Sequence, residues 1–250
     1  MTFTIAAREL RGLFLSPLAW TLLAMTQGLL AWIFLTLIDE FRGLEGRLAE
    51  LDPTPGVTDL IVAPLLRVTA WALLLLVPLL TMRLFSEERR AGTLDLLLSA
   101  PVTPVAIVLG KYLGVLIFLL GTVALIALMP LSLAVGATLD FGKVGAGLLG
   151  LSLLAASFAA AGLYLSMLTA QPAVAATATF GLLLAFWIVD VAGAGQESVS
   201  PVFRYLSLPR HLDALLLGLV RSVDVIFYLL FSTVFLGLAI RRLDNLRWQG

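Results

Sequence analysis

The chain contains no cysteine and a single histidine, His211. Without cysteine it holds no disulfide, no thiolate metal site and no thiol nucleophile. One imidazole cannot build a transition-metal site of several soft ligands either, and His211 reads as a surface or interfacial residue. Charge is also scarce. Only 13% of residues are charged, against roughly 25% in soluble domains. The formal net charge is zero, so overall charge points to no partner, and no nucleic acid is expected. There is no G-x-x-x-x-G-K-[ST] loop: Gly110-Lys111 and Gly142-Lys143 lack both the upstream glycine and a following Ser or Thr. Any ATP must therefore be bound by another chain. Asp140-Phe141-Gly142 has neither a glycine-rich nor a catalytic loop beside it and reads as a turn. No internal repeat or low-complexity stretch is evident. No cofactor and no catalytic or metal-ligating residue is expected.

What remains is apolar: 60% of the residues, with a mean hydropathy of +1.05. A soluble fold of 250 residues could not hide that surface. The charges fall between long apolar runs at 18–38, 62–82, 113–135, 144–168, 173–189 and 223–240, each close to the roughly 20 residues that cross a bilayer as helix. Ahead of the first run, Phe3, Ala6, Ala7, Leu10, Leu13 and Phe14 recur at helical steps while Arg8 and Arg11 fall on another face. Residues 1–17 thus read as an amphipathic helix in the membrane interface. The loop 39–59 is acidic, with turn chemistry at Asp52-Pro53-Thr54-Pro55-Gly56. Arg67 is expected near the outer end of its span, since a bilayer centre would charge it about 2.5–3.5 kcal/mol. Spans four and five are rich in small residues, as in Ala155-Ala156-Ser157 and Ala175-Ala176-Thr177, which suits close packing against protein. Gly110 and Gly114 form a G-x-x-x-G pair, a weak signal for any one interface. Residues 191–221 contain an apolar stretch too short to span and read as an outer re-entrant segment. Asp190, Arg221 and Asp224 near it read as interface anchors or outer-gate residues.

The side holding the N-terminus, residues 83–104, the Gln171 turn and the tail carries nine basic and five acidic residues; the other carries seven and eleven. Positive residues favour the cytoplasm, so both termini are expected there. The spans lack a buried charge cluster, which argues against a small-ion pathway, and the missing midplane charges and missing repeat disfavour a self-contained secondary transporter. The expected fold is an all-α integral membrane protein forming one domain, 1–250. It has six transmembrane helices, an N-terminal interfacial helix, a short cytoplasmic helix within 84–104, and a short interfacial or re-entrant helix before the last span.

The polar stretch between spans two and three runs Arg83-Leu84-Phe85-Ser86-Glu87-Glu88-Arg89-Arg90-Ala91-Gly92-Thr93-Leu94-Asp95-Leu96-Leu97-Leu98-Ser99. Ser86 suits an N-cap, and Glu87 and Glu88 suit the positive end of a helix dipole. A short charged helix is therefore expected along the cytoplasmic surface. Glu87-Glu88 lacks the buried histidines that intramembrane proteolysis would need, and reads as a solvated helix start rather than an acid–base pair.

The series from Ser86 to Thr103, followed by Gly110-Lys111-Tyr112, closely resembles permeases of the ABC-2 transporter family, most of all its gliding-motility-associated branch. Ala7-Arg8-Glu9-Leu10 with Ser16-Pro17 and the Gly218-to-Asp224 stretch before the last span add to the likeness. The resemblance implies a permease in a bacterial inner membrane that pairs with a second permease, the same chain or a related one, and docks on a cytoplasmic ABC ATPase dimer. Glu87, Glu88, Arg89, Gly92, Thr93, Leu94 and Asp95 then fall in or beside the coupling element, transmitting ATP hydrolysis to export or to mechanical work. Alternatives are a permease of the nitrous-oxide-reductase accessory type, serving metalloenzyme maturation or cofactor export, and a non-transporting scaffold for an extracytoplasmic, membrane-anchored protein.

Overall fold

The computed structural model describes residues 1–48, 56–94, 102–193 and 205–249. All regular structure among them is helical. The helices are α1 (Thr2–Leu15), α2 (Pro17–Leu48), α3 (Ala63–Thr81), α4 (Ser86–Arg90), α5 (Pro104–Ser132), α6 (Phe141–Leu168), α7 (Pro172–Gly193), α8 (Leu208–Leu216) and α9 (Ser222–Gln249). A π-helical turn, Thr58–Val62, leads into α3. Six helical segments are long and apolar enough to cross a membrane, within α2, α3, α5, α6, α7 and α9, and the chain is an all-α integral membrane protein.

Local chemistry sets the helix starts. Prolines stand in the first turns of α2, α3, α5, α7 and α8, where a missing N–H costs nothing. The Thr103 hydroxyl caps α5 by accepting from the Ala106 N–H at 3.3 Å, and Asp140 caps α6 by accepting from the Lys143 N–H at 3.1 Å. Gly92 and Gly218 adopt positive φ (67° and 82°) and close α4 and α8. In both, the amide beyond the glycine reaches back to the last turn at 3.0 Å, Thr93 to Glu88 and Leu219 to Ala214, the arrangement for which glycine is favoured.

Two helices differ from the apolar runs that announce them. α5 begins at Pro104 rather than near 113, so Lys111 and Tyr112 lie two turns inside it. α2 continues through Asp39 and Glu40 to Leu48, because no breaker interrupts it before Asp52-Pro53.

α6 is the hub of the bundle, packing against α3, α5, α7, α8 and α9. Its small residues permit this. A Cβ on Gly162 would stand 2.1 Å from Thr81 Oγ1, and one on Gly147 2.6 Å from Leu66 Cδ1. Polar links cross the same interfaces: Ser157 donates to the Tyr228 carbonyl at 3.1 Å and Tyr112 to the Ala156 carbonyl at 3.2 Å. α7, also rich in small residues, is different. Ala173, Thr177, Gly181 and Ala185, one turn apart, are exposed within this chain. The opposite face of α7 packs Ala175, Ala176, Thr179, Leu183 and Trp187.

At one end of the bundle lie α1, α4, the turn between α6 and α7, and the end of α9, where Arg247 donates to the Val102 carbonyl at 3.4 Å. At the other lie α8 and the start of α9. Arg67 of α3 meets Asp213 of α8 there at 2.7 Å, and Lys143 of α6 meets Asp59 at 2.7 Å. α8 is the described part of the segment expected to be re-entrant; residues 194–204 lie outside the described residues. His211 on α8 is buried rather than at the surface, because its ring stacks on Phe227 and its Nδ1 lies 2.6 Å from Asp224 Oδ1.

Candidate functional site

The site is built on the way α4 leaves α3. Only Met82 to Phe85 separate the two helices, and this link is internally bonded: Met82 N–H donates to the Pro78 carbonyl at 3.0 Å and Leu84 N–H to the Thr81 carbonyl at 3.1 Å. Leu84, Phe85 and Ser86 are buried. Ser86 does not cap α4 as expected. Phe85 holds the cap position, and the buried Ser86 hydroxyl donates back to the Met82 carbonyl, tying the short helix to the end of α3 instead.

α1 crosses α5 at Gly110 and Gly114. A Cβ on Gly110 would lie 2.7 Å from Ile5 Cβ, and one on Gly114 2.7 Å from Glu9 Cβ and 3.0 Å from the Ala6 carbonyl oxygen. The G-x-x-x-G pair, weak as a sequence signal, is the seat of the N-terminal helix. This close approach places Glu9 over Lys111 of α5. α4 brings Glu88 to the same point, so Lys111 Nζ donates to Glu9 Oε1 and Glu88 Oε1, each at 2.8 Å. Lys111 is 2% exposed, and its ammonium lies 5.0 Å from the centre of the Phe85 ring. Arg8, mostly solvated, stands 3.7 Å from both carboxylates. The charges of Arg8, Glu9, Glu88 and Lys111 sum to zero, as a buried group requires. The spans therefore do carry a buried charge cluster, contrary to the expectation from sequence. It lies near one end of α5, where its members come from three separate stretches of chain.

Beneath the bundle on the same side, α4 and the turn from α6 to α7 enclose an open groove of about 1080 Å³. Arg83, Glu87, Arg89, Arg90 and Gln171 line it. Arg89 also donates to the Met167 carbonyl at 3.0 Å, satisfying a carbonyl in the last turn of α6.

The residues expected in the coupling element thus divide. Glu87 and Arg89 face the groove. Glu88 turns inward to Lys111, and its second carboxylate oxygen, Oε2, is buried without a partner among the described residues. Gly92 closes the helix, the Thr93 hydroxyl donates to the Glu88 carbonyl at 3.3 Å, and Leu94 is buried. Asp95, with residues 96–99, lies outside the described residues. Sequence reasoning overlooked Arg8, Glu9, Phe85 and Lys111 as one unit. The available signal was a lysine set between two helix-packing glycines.

The profile of a family described as an ABC-2 family transporter protein matches residues 49–208. No curated protein matches the chain. The matched residues begin just past α2, end at the first residue of α8 and include both α4 and the α6–α7 turn that line the groove. With six membrane-length helices and a family match over more than half its length, the chain belongs to the ABC-2 transporter family as a membrane-spanning permease.

Proposed function

We propose that α4 is the coupling helix, that an ABC ATPase docks in the groove between α4 and the α6–α7 turn, and that nucleotide-driven movement of the ATPase enters the spans through Lys111. The observation that carries this reading is the shared ammonium. Glu88 on α4, Glu9 on α1 and Lys111 on α5 are bonded to one another, so displacement of α4 pulls on two other helices at once. The short bonded link Met82–Phe85 supports transmission to α3 as well. The groove end holds the basic excess, including Arg83, Arg89, Arg90, Arg241 and Arg242, and since positive residues favour the cytoplasm this supports a cytoplasmic position for the groove and both termini in a bacterial inner membrane.

A second permease, a copy or a relative, would cover the exposed small-residue face of α7, where close backbone approach substitutes for the missing hydrophobic drive. The exposed face of α3, Arg67, Trp71 and Leu75, is apolar with one charge near the α8 end. It suits an amphipathic or lipid-linked cargo, or purely mechanical transmission as in the gliding-motility branch.

The test is co-purification of the permease with its nucleotide-binding partner. Glu87→Arg should abolish complex formation and coupled ATP hydrolysis while leaving thermal stability unchanged, because Glu87 is exposed in the groove. Glu88→Arg should instead lower stability by placing a second cation beside Lys111. Retention of both complex and coupling in Glu87→Arg rejects the docking reading.

A further inference from the structure

At the end of the bundle opposite α4, a cavity of about 400 Å³ opens between α8 and the start of α9. Its floor is the pair His211 and Asp224, 7% and 6% exposed. His211 Nε2 lies 2.9 Å from the Tyr205 carbonyl oxygen and Nδ1 2.6 Å from Asp224 Oδ1. A carbonyl only accepts, so Nε2 carries a proton, and the 2.6 Å approach of Nδ1 to Asp224 Oδ1 requires one further proton between those two atoms. Whichever of the two atoms holds that proton, the pair is neutral, and the His211 ring stacks on Phe227 with ring centres 4.1 Å apart. Asp224 is left with a second oxygen, Oδ2, that is buried and accepts from nothing among the described residues. A carboxylate oxygen in that state calls for a donor.

Arg210, on the first turn of α8, and Arg221, just before α9, line the same cavity and are exposed. With the floor neutral, the walls carry two positive charges. The ligand that matches has an anionic group for two guanidiniums, which favour phosphate, and a separate hydrogen-bond donor for Asp224. Beside the cavity, the link from α8 to α9 exposes Leu217 (62%), Leu219 (48%) and Val220 (57%), followed by Val223 (51%) at the rim. An apolar collar of this kind suits acyl chains rather than water.

We propose that this cavity binds the phosphoethanolamine headgroup of a membrane phospholipid, with its phosphate between Arg210 and Arg221, its ammonium donating to Asp224 Oδ2 and its chains over Leu217 to Val220. The site is independent of the ATPase docking groove. Bound here, a lipid bridges α8 to the last span.

Lipid retention by the full-length protein, measured by native mass spectrometry after detergent extraction and exchange with defined lipids, tests this. Phosphatidylethanolamine should be held about tenfold more tightly than phosphatidylcholine, which has the same phosphate but no N–H donor, as loss of one charged hydrogen bond implies. Arg210→Gln with Arg221→Gln should weaken both lipids about tenfold or more. Asp224→Asn should erase the preference between them. If Asp224→Asn does not fold, the arginine variants still decide, since both side chains are exposed. Equal retention of the two lipids by the unmodified chain, or unchanged retention in the double arginine variant, overturns the site. Free phosphoethanolamine should fail to displace the lipid. Displacement at equal concentration would overturn the lipid assignment in favour of a soluble aminophosphate.

Discussion

Lys111→Met isolates the buried cluster, since methionine keeps much of the stem and removes the charge. The ammonium makes two contacts of 2.8 Å in a site where Glu9 and Glu88 side chains are 18% and 20% exposed. Removing one partner from a buried ionic group costs about 3–5 kcal/mol, because the remaining charges stay desolvated. Arg8, 68% exposed and 3.7 Å away, offsets no more than about 1 kcal/mol. The net loss is about 2–4 kcal/mol, and at about 2–4 °C per kcal/mol for a chain of this size Tm should fall by roughly 4–16 °C. Intrinsic tryptophan fluorescence during heating in detergent reads this out, the chain having five tryptophans. The triple variant Lys111→Met, Glu9→Gln, Glu88→Gln removes all three buried charges and should recover to within about 1 kcal/mol of the parent, yet leave ATP hydrolysis uncoupled. A single variant as stable as the parent, or a triple variant no more stable than the single one, refutes the reasoning.

Gly114→Ala places a methyl 2.7 Å from Glu9 Cβ and should cost about 1–3 kcal/mol while exposing α1 to proteolysis; Gly121→Ala, with nothing within 4 Å, should be silent in the same digest. Gly162→Ala should lower Tm comparably, and Thr81→Ala in the same chain should recover part of the loss by removing the oxygen 2.1 Å from the new methyl, as paired melting curves will show. Because the chain lacks cysteine, Gly181→Cys or Ala185→Cys introduces a single reactive thiol. Oxidation in membranes should cross-link two copies through α7 if the permease pairs with itself, whereas Met25→Cys on exposed α2 serves as the comparison.

The architecture was legible in the sequence because a bilayer imposes one strong rule, that every spanning backbone satisfies itself as helix, and long apolar runs declare it. Helix limits were less visible. Span three had to be read from where charge stops, yet its helix starts at the Thr103–Pro104 cap and carries Lys111 inside it. A lysine within a helix costs little once two carboxylates meet it, and nothing local to 104–115 reveals that they do. Glu9 and Glu88 are separated from Lys111 by 102 and 23 residues. The same blindness hid His211, whose burial depends on Asp224 in the next helix. In each case the residue type and spacing were readable and the partner was not.

Glu87 and Glu88 show what that distinction means for function. Adjacent and chemically alike, they read as one solvated helix start. On a helix, successive residues point about 100° apart, and Glu88 meets Lys111 and α1 while Glu87 is exposed and lines the groove. Glu87 is therefore available to a partner chain, and Glu88 is committed to Lys111. A coupling element needs both kinds of contact: one that an ATPase can grip, and one that the spans cannot ignore when it moves. If the two glutamates were interchangeable, charge reversal at either would give the same loss of docking with the same stability. The geometry requires opposite phenotypes, docking lost at Glu87 and folding weakened at Glu88, and measuring Tm and complex formation on the same two preparations separates them.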